Sequence, residues 1–142
     1  MTTLDSTIRQ IAAPAGRALL ALIFIVSGFQ KITGYAGTQG YMEAMGVPGA
    51  LLPLVILVEL VGGIALLIGW QARIAAVLLA GFSLLSGLLF HLIPGLAAEG
   101  MEAQMQMIGF MKNVSIAGGL LMIVALGAGA VSVNREAAPV AA

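Results

Sequence analysis

The chain contains no cysteine, and that absence removes disulfides, thiolate catalysis, iron–sulfur clusters on cysteine ligands and covalently attached haem. It has one histidine, so a haem held by two histidines of the same chain is also excluded. Charge is scarce: charged residues make up 8% of the chain and the formal net charge is zero, so there is no basic footprint for nucleic acid. No glycine-rich loop stands in the strand-to-helix context that phosphate binding requires, and no Ser-His-Asp arrangement is apparent. A self-contained redox or hydrolytic site is therefore not visible.

What remains is apolar. Hydrophobic residues account for 61% of the chain and the mean hydropathy is +1.09, well beyond an ordinary soluble domain. The expected fold is all-α: an integral membrane four-helix bundle, one domain over residues 1–142, with the lipid bilayer as its first partner. Spans are expected at 15–32, 51–69, 74–93 and 110–131, each close to the ~20 residues that cross a hydrocarbon core. Residues 1–14 read as a polar arm with little order. The run after Arg17 lacks a small-residue cleavage site before Gln30-Lys31, so the first span is expected to be retained.

Between spans one and two, residues 38–45 suit a short interfacial helix presenting Tyr41, Met42 and Met45, stopped by Gly46 and Pro48. Trp70-Gln71-Ala72-Arg73 is a tight connection that makes spans two and three an antiparallel hairpin. Pro94 and Gly95 end the third span, and a polar, methionine-rich connection runs to about Ile108. With both termini cytoplasmic, Arg9, Arg17, Arg73 and Arg135 fall inside while Glu43, Glu99 and Glu102 fall outside.

One stretch contradicts its own apolarity. Val55-Ile-Leu-Val-Glu59-Leu-Val-Gly62-Gly63 carries a carboxylate inside a span, at a cost of roughly 2.5 to 3.5 kcal/mol on insertion scales. Such a group must face a partner or a watered cavity. At 1.5 Å per residue it lies about 12 Å from the outer end of its span. Lys31 ends span one on that side, His91 is near the same end of span three, and Lys112-Asn113 opens span four there.

Face agrees with depth. Glu59 shares its side with Gly62 and Gly63, Lys31 has Gly28 and Ser27 behind it, His91 follows Gly87, and Lys112 precedes Ser115 and Gly119. Small residues mark close helix approach, so Gly28, Gly62, Gly63, Gly87 and Gly119 are assigned to helix packing. Lys31, Glu59, His91, Lys112 and Asn113 are assigned to a polar pocket between the spans that opens outward.

Plainer readings stand beside this one. Lys31 and Lys112 near span ends can snorkel to head groups, His91 can be an interfacial histidine, and a Glu–Lys pair can be a structural lock. Met101, Met105, Met107 and Met111 with His91 have the softness for Cu(I), but methionine more often fills gaps in packing, so no metal site is assigned. Ala125-x-x-x-Gly129 offers a small-residue motif for a homo-oligomer.

The string Gly16-Arg17-Ala-Leu-Leu-Ala-Leu-Ile-Phe-Ile-Val-Ser27-Gly28-Phe-Gln-Lys31, then Tyr41-Met42-Glu-Ala-Met45-Gly46-Val-Pro48, resembles the DoxX family of small bacterial membrane proteins. Glu59-Leu-Val-Gly62-Gly63 with Gly69, Phe90-His91, and Phe110-Met-Lys112-Asn113 with Gly118-Gly119 continue the likeness. The resemblance implies an inner-membrane protein and carries over Gly28, Lys31, Glu59, His91, Lys112 and Asn113 as motif residues. It also implies association with quinol oxidases, thiosulfate:quinone oxidoreductases or oxidative-stress complexes, hence a redox-complex partner and quinone as the ligand or cofactor to consider. The expected function is a pocket for a small quinone-like or anionic molecule in a subunit that is not catalytic by itself. The alternative is an assembly subunit or a small transporter.

Overall fold

The computed structural model describes residues 3–134, excluding the side chains of residues 3–5 and 9; the expectations for Arg9 and Arg135 lie outside what is described. Among the described residues there are helices and turns and no strand: α1 (Thr3–Thr33), α2 (Tyr35–Ala44), a 3-10 turn (Gly49–Leu51), α3 (Leu52–Ile68), α4 (Ala72–Gly87), a π-helical turn (Leu88–Leu92), α5 (Ile93–Ala97) and α6 (Gly100–Leu126). Four stretches are long and apolar enough to cross a membrane: Ser6–Thr33, Gly49–Ile68, Ala72–Ala97 and Gly100–Leu126. The all-α, four-span architecture read from composition is the one observed.

The boundaries differ in instructive ways. Residues 3–14 are helical instead of a loose arm, and α1 runs through Pro14. Apolar Leu4, Ile8 and Ile11 recur at i, i+4 and i+7, so this stretch continues the helical pattern of the span despite its polar residues. At the third span, Pro94 is no terminator: it occupies the first turn of α5, where its missing N–H costs little, and the helical path continues to Ala97. The expected connection up to Ile108 is instead the first part of α6, because its Met, Glu, Ala and Gln residues are strong helix formers. α6 then stops at Leu126, short of 131, where Gly127 takes φ +83°.

The helices pair as α1 with α3 and α4 with α6, joined through the α3–α4 hairpin, while α1 and α6 meet over a short stretch. Glycines set the close approaches. A Cβ on Gly63 would stand 2.9 Å from Ile25, one on Gly62 3.0 Å from Leu79, one on Gly28 2.8 Å from Leu60, one on Gly87 2.8 Å from Asn113, and one on Gly119 3.3 Å from Leu20. The apolar core of Ala21, Phe24, Leu66, Leu79, Ala117 and Leu120 fills the half of the bundle nearer Gly69 and Gly127.

That half is closed by Arg17. Its guanidinium is buried and donates to the carbonyls of Leu67 at 3.3 Å, Val131 at 2.8 Å, Ala130 at 3.5 Å and also Ala128. The segment after α6 turns back at Gly127 and Gly129 and joins the end of α3, with Val133 N–H donating to Ile68 O at 3.0 Å. Arg17 thus satisfies one carbonyl that the end of α3 leaves orphaned and three in the segment after α6. The segment also absorbs Gly129, which lies outside the helix against Ala13, so Ala125-x-x-x-Gly129 is not a helical surface motif.

Candidate functional site

Toward the other end, the two helix pairs diverge and enclose a cavity of about 550 Å³. Lys31, Glu59, His91, Lys112 and Asn113 all line it. The deepest polar feature is on the α1–α3 wall, where Glu59 is 3% exposed in the middle of α3. Lys31 Nζ lies 3.0 Å from each carboxylate oxygen and donates to Oε1. Ser27, one turn below Lys31 on α1, accepts from Nζ at 2.6 Å and donates to Glu59 Oε1 at 3.1 Å. The absent side chain of Gly28 lets α1 approach α3 closely enough for this three-way contact. Oε2 takes only the charge contact, without an in-line donor among the described residues.

The α4–α6 wall carries the remaining groups. His91 sits in the π-helical turn, and such turns recur at functional positions because they re-aim a side chain within a helix. Its Nδ1 lies 2.9 Å from Gln106 Oε1 on α6. An amide oxygen can only accept, so Nδ1 bears the proton of this bond and the neutral ring keeps Nε2 as an acceptor. Gly109 makes room for the ring: a Cβ there would be 2.6 Å from Nδ1. Asn113 spends one N–H on Gly109 O at 3.0 Å and retains its other N–H and its carbonyl oxygen. Lys112 is exposed and has no carboxylate partner among the described residues.

The pair formed by Glu59 and Lys31 is neutral, so Lys112 is the uncompensated charge of the cavity wall. Hydrogen-bond donors at Lys112 and Asn113 and an acceptor at His91 suit a ligand with an electron-rich oxygen and an exchangeable proton. α2 adds Thr38, Tyr41 and the buried Met42 to the lining, and Tyr41 stacks on Phe90 with ring centroids 5.6 Å apart. A helix therefore lies across the end at which the sequence suggested an outward opening. Met101, Met105, Met107 and Met111 are exposed on α6, while His91 turns to Gln106, so these thioethers and the imidazole are not brought together.

Sequence reasoning missed three participants. Gln106 lies in α6 and not in a connection, Arg17 clasps backbone carbonyls beyond its role as a flanking charge, and Ser27 bridges Lys31 and Glu59 as well as packing. The signal for Gln106 was available: it lies three residues before Gly109 and seven before Asn113, on one helical face.

The DoxX family model matches residues 12–92. The Escherichia coli inner membrane protein YqjF is 48% identical over 128 residues, covering 90% of this chain and 93% of its own. The E. coli inner membrane protein YphA is 34% identical over 130 residues, 90% and 91% of the two chains. A Bacillus subtilis protein named "Putative oxidoreductase CatD" is 33% identical over 64 residues, 45% of this chain and 48% of its own. No solved structure matches. With four apolar spans and two such relatives, the protein is a multi-pass protein of the bacterial inner membrane, and it belongs to the DoxX family.

Proposed function

We propose that the cavity binds a small quinone-like or anionic molecule, and that the protein serves as the membrane subunit of a respiratory or redox-stress assembly without being catalytic by itself. The observation that carries this reading is that one cavity of about 550 Å³ gathers Lys31, Glu59, His91, Lys112 and Asn113 while leaving Lys112 uncompensated. That volume lies within the roughly 300 to 1,000 Å³ common for small-molecule sites. In this reading Lys112 and Asn113 donate to a carbonyl or oxyanion, His91 exchanges a proton through Nε2, and Glu59 neutralises Lys31. Electrons come from a partner or a bound cofactor, since the chain has no cysteine and its cavity offers one imidazole. The oxidoreductase name of the B. subtilis relative is consistent with such a setting.

The test is titration of a tail-free dimethoxy-methyl-benzoquinone and its quinol against the protein in nanodiscs, between about pH 5 and 8. Lys112→Ala and His91→Ala should each weaken binding. Unchanged binding in both would contradict the reading. A second reading has its own observation: Lys31, Ser27 and Glu59 contact one another across α1 and α3, as a structural lock requires. A lock alone predicts variants that lose stability while no ligand is held.

A further inference from the structure

The way into the cavity is written in which lining residues are also exposed. Leu54 of α3 and Leu85 of α4 both line the cavity, and each is 56% exposed on the outer surface. A residue that does both borders an opening, and Ile23 and Tyr41, 48% and 45% exposed, border others. α3 and α4 touch where Gly62 accommodates Leu79, and Leu54 and Leu85 lie beyond that contact toward the cavity. The opening lies within two membrane-spanning stretches, and its other lining residues, Leu51, Val55, Ser86 and Leu89, are uncharged and apolar except for the Ser86 hydroxyl. A second gap, between α1 and α6 beyond the Leu20–Gly119 contact, is bordered by Ile23 and the charged Lys112. The end near α2 is crossed by Thr38, Tyr41 and Met42.

We infer that the ligand is a bilayer-dissolved amphiphile whose polar head sits between Lys31–Glu59 and His91 while its hydrocarbon chain leaves through the α3–α4 gap. This rests on the cavity being a binding site and adds the class of molecule and its route. The uncharged, largely apolar mouth matches a chain and offers a hydrated ion little beyond the Ser86 hydroxyl in place of its water. A cavity of about 550 Å³ holds a head group and the first part of a chain, and the remainder lies against the exposed apolar surface of α3 and α4. Among charged groups on the wall, Lys112 stands away from this mouth at the opposite gap, where it can meet the head without obstructing the chain.

The experiment uses the full chain in phosphatidylcholine nanodiscs with two probes. One is the tail-free dimethoxy-methyl-benzoquinone; the other carries a decyl chain ending in a photoreactive diazirine. Cross-links should fall on peptides containing Leu51, Leu54 and Leu85. Leu54→Trp with Leu85→Trp, which fills the mouth, should weaken the decyl probe by about tenfold, the equivalent of two lost methylene contacts, and leave the tail-free probe unchanged. Leu54→Ala with Leu85→Ala, which widens the mouth, should retain the decyl probe and shows that changes at these positions are not merely unfolding the protein. Cross-links concentrated around Ile23 and Lys112, or equal binding of the decyl probe to the tryptophan variant, would overturn the route. A phospholipid retained one-to-one on native mass spectrometry and not displaced by the decyl probe would overturn the head-group class. Binding of neither probe to the unsubstituted protein would instead remove the underlying site.

Discussion

Removing Lys31 should destabilise this protein more than removing Glu59, although the two share one contact. Lys31 Nζ is 3.0 Å from both carboxylate oxygens, but the side chains differ in escape: Lys31 is 23% exposed and Glu59 only 4%. In Glu59→Ala the ammonium stays on its flexible stem near the end of α1 and can snorkel away, keeping Ser27 as a partner meanwhile, so the cost is about 1 to 2 kcal/mol. In Lys31→Ala the carboxylate is left near the middle of α3 with one Ser27 hydroxyl, an uncompensated buried charge worth about 3 kcal/mol. The double variant removes that charge and should recover part of the loss, with a coupling of roughly 1 to 3 kcal/mol. Equilibrium unfolding in mixed micelles of the four members of the cycle measures all three quantities. Additivity within about 0.5 kcal/mol, or a greater loss for Glu59→Ala, would refute the reasoning.

Other positions make separate predictions. Arg17→Met keeps much of the stem but strips the donors from four carbonyls, and should cost about 3 kcal/mol and make the segment after α6 protease-sensitive; resistance equal to the unsubstituted protein would contradict the clasp. Gly109→Ala places a Cβ 2.6 Å from His91 Nδ1, so the ring must move: quinol binding should fall several-fold while thermal stability drops by about 1 to 2 kcal/mol, checked by titration beside a melt. Gln106→Leu removes the acceptor that holds the His91 ring, and quinol binding should weaken several-fold with little change in fold; unchanged binding would show that Gln106 does not position the ring.

Much of the candidate site was legible because a helix has a fixed rise and a fixed turn. Those two constants bring Lys31, Glu59, His91, Lys112 and Asn113 toward one end of the bundle, and the cavity lining contains each of them, with Lys112 exposed at its edge. Which lysine meets Glu59 was not legible. That choice depends on Gly28 drawing α1 against α3, a contact between helices and not a property of either. The helix ends were misread for a related reason: polar residues at 3–14 and 100–109 mark where apolarity fades, yet nothing in them stops a helix. Arg17 shows the limit of charge rules. It satisfies the expectation for a flanking cation, but its structural task depends on backbone carbonyls from residues 128 to 131, which no side-chain pattern announces. The π-helical turn at His91 is likewise a backbone event, set by packing against Gln106 and Gly109.

The central claim is that this polar cavity holds a small molecule, and native mass spectrometry of the protein released from a mild detergent, compared with Glu59→Gln, tests it most directly. The substitution keeps the shape of the side chain and removes the charge that neutralises Lys31. The account predicts a quinone or similar amphiphile bound to the unsubstituted protein and lost from the folded variant. An equally empty pair of spectra, with the variant merely less stable or missing a co-purifying protein, would contradict it and leave the cluster as architecture.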